Sequence, residues 1–204
     1  GSGQEMPVKP GLPGYRLPEG MELDEYFGMF KPVWVNPKED IPQADYSHYY
    51  AGVDQPEGSF INSLGVLNIP AKFYHFTGYV SPLRNVSTLR EIGAFPFPIA
   101  ASCDETHMKQ RVGEAHGKGR VAETAVGHMY ESAWQVRGYE EFLMDMFDAP
   151  ERCEYILDRF AERNERVAAA AGRAGADMLM TGDDVANQNA LMFSKEMWRK
   201  FMKP

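Results

Sequence analysis

The sequence predicts an α/β fold, with the stretch from Val121 to the C-terminus reading as strand, helix, strand, loop and helix of an α/β barrel. Three observations predict it. Tyr139, Phe142, Leu143, Met146 and Phe147 recur at i, i+3, i+4, i+7 and i+8, the spacing of an amphipathic helix. Short apolar runs, Arg120 to Gly127 and Ala176 to Thr181, stand on either side of the helical text. Glycine and acidic residues then punctuate the second run at Gly182-Asp183-Asp184. Strands alternating with helices imply parallel pairing through crossover connections.

Each element follows from local chemistry. Seven of the fourteen prolines precede Gln43, which removes backbone donors and restricts φ, so only Met21 to Phe30 suits a short helix there. Pro32-Val33-Trp34-Val35 is the first strand candidate, bounded by Pro37 and Pro42. Ile41 to Gly58 is polar and aromatic and reads as a surface loop or lid. Strands are expected around Phe60 to Leu67 and Phe73 to Tyr79, and a helical turn at Ser87 to Glu91. Ser102 with Glu105, and Asp148 with Glu151, have capping-box spacing. A helix after Pro150 aligns Cys153, Ile156, Leu157, Phe160, Val167, Ala168 and Ala171, and Gly175 is its natural C-terminal cap. Ser194 caps a last helix carrying Trp198 and Phe201.

Composition narrows the function. With 204 residues, 44% hydrophobic and 25% charged, the chain can bury a sizeable core. A net charge of -8 without a Lys/Arg cluster argues against nucleic acid and anionic membrane as partners. No apolar run approaches the roughly 18 residues of a membrane span. Two cysteines, Cys103 and Cys153, lack metal-ligand spacing, and a reducing, cytoplasmic setting is the expectation. There is no GxGxxG, P-loop, GxSxG or Cys/His zinc pattern.

Two strand ends carry the chemistry. Asp183 and Asp184 follow a strand, where the loops of parallel α/β folds hold their sites. Adjacent carboxylates there bind a cationic group or a metal, or keep one proton as an acid; alternatively, one caps the next segment and the other is solvated. His128, Tyr130, Glu131 and Trp134 follow the preceding strand, as an acid/base pair beside an apolar floor or as groups satisfying local backbone. His75, beside Tyr74 and Tyr79, reads as structural, and His107 and His116 as solvated. Met144, Met146, Met178 and Met180 read as core.

The C-terminal half resembles the uroporphyrinogen decarboxylase superfamily. The resemblance rests on Met129-Tyr130-Glu131-Ser132-Ala133-Trp134, Arg137-Gly138-Tyr139-Glu140-Glu141-Phe142-Leu143, Ala174-Gly175-Ala176-Asp177, Gly182-Asp183-Asp184, Gln188 and Ser194 through Pro204. The segment from Pro82 to Pro98 is similar to the family's divergent members.

The resemblance implies a (β/α)8 TIM-barrel type fold. A whole barrel takes about 250 residues, so only its N-terminal half to two-thirds is expected. Residues 1–58 would form a Pro-rich extension and loop, and residues 59–204 the barrel portion. Family members decarboxylate the acetate arms of uroporphyrinogen without a cofactor, or move methyl groups between small methylated compounds and corrinoid or thiol acceptors. The decarboxylases carry an Arg-Gln-Ala-Gly-Arg segment whose arginines bind substrate carboxylates. Here Pro32-Val33-Trp34-Val35-Asn36-Pro37 stands in that place, which favours the methyltransferase-like branch.

In that reading Asp183 and Asp184 are catalytic, and His128, Tyr130, Glu131, Trp134 and Gln188 bind a small-molecule substrate. No metal ligand is assigned in this chain. Zinc and a corrinoid protein belong to the complete protein, the zinc held by His and Cys residues of the second half of the barrel. An open half-barrel is expected to self-associate or meet a complementary C-terminal half-barrel chain. The competing expectations are a cofactor-independent decarboxylase of a small carboxylate or tetrapyrrole, and a non-catalytic half-barrel that docks on a partner.

Overall fold

The structure, a computed structural model, describes residues 18–21, 26–29, 31–70 and 77–203. Half of the expected helix from Met21 to Phe30 falls outside these residues, and Tyr74 and His75 wholly so. By compactness the chain divides into Gly1–Pro32 and Val33–Pro204. In the first unit the rings of Tyr26 and Phe27 meet edge to face, 5.1 Å between centroids.

The second unit contains strands β1 (Val33–Trp34), β2 (Glu39–Asp40), β3 (Phe60–Ile61), β4 (Leu67–Pro70), β5 (Thr77–Val80), β6 (Ser102–Cys103), β7 (Ala122–Ala125) and β8 (Met178–Met180). Its helices are α1 (Leu89–Gly93), α2 (Glu105–Gly117), α3 (Tyr130–Arg137), α4 (Tyr139–Asp148), α5 (Pro150–Ala174) and α6 (Lys195–Phe201). The sheet that positions the site has the order β1-β7-β8 and is parallel throughout. Val33 pairs with Ala122, and Glu123 with Met178. Helices α3, α4 and α5 form the crossover from β7 to β8, the connection that parallel pairing demands. The mixed helix and strand content is compatible with a TIM-barrel type fold, and these three parallel strands do not close into a barrel.

Local chemistry explains several departures from expectation. The apolar run from Phe60 to Leu67 is two antiparallel strands rather than one. The Asn62 carboxamide accepts from the N–H groups of Leu64 and Val66, and Gly65 takes φ 79°, which turns the chain. Asp104 caps α2 by accepting from the His107 N–H, and Ser102 lies in β6 instead. Asp148 is still inside α4, so α5 begins at Pro150 without a side-chain cap. Gly175 ends α5 at φ 86°, and the Ser194 hydroxyl caps α6, both as the sequence indicates. The 41–58 segment is anchored rather than free, because Tyr50 is 1% exposed and its hydroxyl bridges the Gly65 carbonyl and the Leu67 N–H.

The main core gathers Phe95, Tyr130, Phe142, Ile156, Leu157 and Phe160. A smaller one, Val35, Val112, Ala115 and Ala122, joins the parallel sheet to α2. Strand β8 does not share that burial. Met178, Leu179 and Met180 are 44%, 51% and 47% exposed, which corrects the expectation that Met178 and Met180 pack in the core. Among the described residues strand β8 is the edge of its sheet, paired with β7 alone. Met144 is exposed as well, and of the four methionines only Met146 is buried.

Candidate active site

The carboxyl ends of β1, β7 and β8 open on one cleft of about 270 Å³. Asn36, Pro37 and Glu39 border it beyond β1, Ala125 to His128 at β7, Met180 and Gly182 at β8, and Arg163 and Val167 from α5. This is where parallel α/β folds place ligands, because the loops there vary while the strands hold their ends rigid.

Hydrogen bonds of long sequence range fix the rim. The Asn36 side-chain oxygen accepts from the Ala125 N–H at 2.9 Å, tying the end of β1 to β7. Asn164 of α5 holds both sides of Gly127, accepting from its N–H at 3.1 Å and donating to its carbonyl at 2.8 Å. A Cβ at Gly127 would stand 2.6 Å from the Asn164 side-chain oxygen, so any side chain there would displace Asn164. Arg163, the next residue, donates Nε and Nη2 to the two oxygens of Glu39, at 3.0 and 2.7 Å. That planar, two-point pairing orients the guanidinium.

Asp183 has a defined task. Its carboxylate accepts from the backbone N–H groups of Met129, Tyr130 and Glu131, at 2.9, 3.0 and 2.9 Å. Those are orphan donors at the start of α3, which has no cap from its own Met129. Asp183 therefore caps α3 from the next strand end, where the helix dipole favours negative charge. The capped turn presents His128 and Glu131, whose Nδ1 and Oε2 lie 2.5 Å apart. The carboxylate engages Nδ1, so Nε2 is the ring nitrogen that Glu131 does not occupy.

The remaining expected residues lie elsewhere. Tyr130 is fully buried in the core between Phe142 and Phe193, and burial pushes its hydroxyl above the ordinary tyrosine value. Trp134 packs edge to face against Tyr79 and Tyr139, centroids 5.8 and 5.6 Å away. Asp184 and Gln188 are exposed, and Gln188 sits in a turn where the Asn187 side chain accepts from the Asn189 and Ala190 N–H groups. Of the seven expected residues only His128 borders the cleft itself; Glu131 and Asp183 act on it through their contacts with His128 and its turn. Asn36, Glu39, Arg163 and Asn164 were missed by sequence reasoning. Asn36 belongs to the Pro32–Pro37 segment that lacks arginine, whereas Arg163 and Asn164 look like the polar flank of a helix.

Among the described residues, His128, Glu131 and Asp183 bring one potential metal-ligand atom each within 4.8 Å of one another. They do not fit a zinc ion as they stand. Three backbone donors occupy the Asp183 oxygens, and zinc ligands at about 2.0–2.2 Å from the metal cannot approach each other as closely as His128 and Glu131 do. Cys153 lies in the core, where burial pushes its thiol up to about 12, and Cys103 belongs to β6 and does not border the cleft.

Residues 124–204, less than half of the chain, match the family model described as "Uroporphyrinogen decarboxylase (URO-D)". The match takes in the end of β7, the α3 turn and Asp183. It supports a relation to that superfamily and a uroporphyrinogen decarboxylase-like protein at the family level. No curated protein and no solved structure matches the chain.

Proposed function

We propose that the chain is the N-terminal barrel portion of a uroporphyrinogen decarboxylase-like methyltransferase that acts on a small methylated substrate. His128 would exchange a proton with the substrate or its leaving group at Nε2. Glu131 orients the imidazole, and Asp183 is the positioning residue that holds the turn carrying both. The observation that supports this reading is the His128–Glu131 pair at the rim of a strand-end cleft, inside the segment that matches the family model. The corrinoid or thiol acceptor would come to the site from outside this chain, and the open β8 edge suits a complementary half-barrel or a second copy. No step is assigned to zinc, because the described residues do not fit it.

The small cleft, and the pairing with Glu39 of the arginine that borders it, Arg163, favour methyl transfer over decarboxylation of a tetrapyrrole bearing many carboxylates. The test is turnover of the complete protein with a corrinoid or thiol acceptor, comparing wild type with His128→Gln and Asp183→Asn. His128→Gln should lower kcat by about 10²–10⁴ with folding intact. Asp183→Asn should lower it too, with a stability loss of about 1 kcal/mol, because an amide cannot serve all three donors. An unchanged rate in His128→Gln would falsify its role. Release of carbon dioxide without any acceptor would replace methyl transfer by the decarboxylase reading.

A further inference from the structure

The cleft contains an arginine that the family resemblance does not account for. Arg163 uses Nε and Nη2 on Glu39, and its Nη1 has no hydrogen-bond partner among the described residues. Nη1 lies 3.1 Å from the place a Cβ on Gly127 would take, so the glycine leaves this edge open to the cleft. Both partners are largely shielded, with side chains 23% and 17% exposed for Arg163 and Glu39. A shielded guanidinium already matched by one carboxylate has donors left but no charge to neutralise. A second carboxylate on Nη1 would face Glu39 across the same guanidinium, and like charges so placed repel. A neutral oxygen on the same donor meets no such repulsion, and an adjacent N–H can donate to Glu39. Pro37, Val126, Val167 and Met180 supply an apolar wall for the rest of the molecule.

We propose that this cleft selects a small neutral ligand through one hydrogen-bond-accepting oxygen on Nη1 of Arg163, and that Glu39 is the residue that rejects carboxylates. The proposal rests on reading the cleft as the substrate site and adds the substrate's charge class. Benzamide and benzoate test it, since they share a shape and differ by one charge. Binding is followed by NMR on the Met180 methyl group, with exposed Met144 of α4 as the control. In wild type, benzamide should move the Met180 signal saturably, and benzoate should bind at least about tenfold more weakly. Glu39→Gln keeps the shape and removes the charge, so it should reverse the preference. The double variant E39Q/R163M leaves no unpaired charge and should bind neither probe.

Equal or tighter benzoate binding by wild type overturns the proposal, as does the absence of any Met180 response to either probe. The wild-type comparison decides even if a variant fails to fold. Because the readout is binding and not turnover, a failure here leaves the role of His128 standing, and the reverse also holds.

Discussion

At the residue scale, Asp177 shows how one carboxylate joins distant elements. Its Oδ2 accepts from the Ala122 N–H at 2.8 Å and lies 2.9 Å from His116 Nε2. The Ala122 hydrogen bond first, and His116 second, hold its carboxyl below the usual aspartate range. A carboxylate with a lowered folded-state pKa stabilises the protein above its unfolded value, and loses that contribution as the pH falls through the folded value. Asp177→Asn should therefore melt below wild type at neutral pH, and the difference should shrink as the pH falls through and below the usual aspartate range. A Tm deficit that persists in acid would mean that the charge is not its source. The sequence predicts a solvated His116. It is exposed but paired, and a contact across 61 residues leaves no trace in local spacing.

At the scale of the element, α5 is the scaffold of the unit. Its buried stripe contains the expected Cys153, Ile156, Leu157, Phe160, Val167 and Ala171, adds Ala170 and Ala174, and leaves Ala168 half-buried. The period-3.6 pattern sufficed because nothing competes for that face. In α4 it misled. Phe142 and Met146 are buried, yet Phe147 is 71% exposed and Tyr139 41%. Asp145 takes the inner face, because Arg137 and Arg152 both pair with its carboxylate, at 2.6 and 3.0 Å. A buried ion pair looks polar in the sequence and turns the helix away from its apparent stripe. Phe160→Ala should cost about 3–5 kcal/mol, and Phe147→Ala less than about 0.5 kcal/mol, by urea unfolding. Equal losses at the two positions would contradict the stripe described here.

At the scale of the whole molecule, the sheet β1-β7-β8 ends in an unpaired edge among the described residues. Met178, Leu179 and Met180 on that edge are exposed, and Trp34, 44% exposed, lies on β1 at the other side of β7. An edge strand of that composition is a template for another strand. Wild-type protein should accordingly associate with rising concentration in sedimentation velocity runs. Leu179→Lys should shift it toward monomer, since an edge lysine opposes pairing. A wild type that stays monomeric throughout would rule out pairing with its own kind and leave only a different partner.

The sequence alone determined the type and order of most elements, the caps at Gly175 and Ser194, and the strand ends that carry His128, Glu131 and Asp183. Those features depend on residues within a turn or two of one another, where φ preferences, capping hydroxyls and apolar spacing act. The tertiary structure decided what each strand-end residue does. Asp183 meets donors 52 to 54 positions away, and Arg163 meets Glu39 across 124. Tyr130 turns into the core while its neighbour Glu131 turns to His128. Such outcomes follow from where crossover helices set backbone donors and charges, and the parallel sheet fixes those positions only once it has formed.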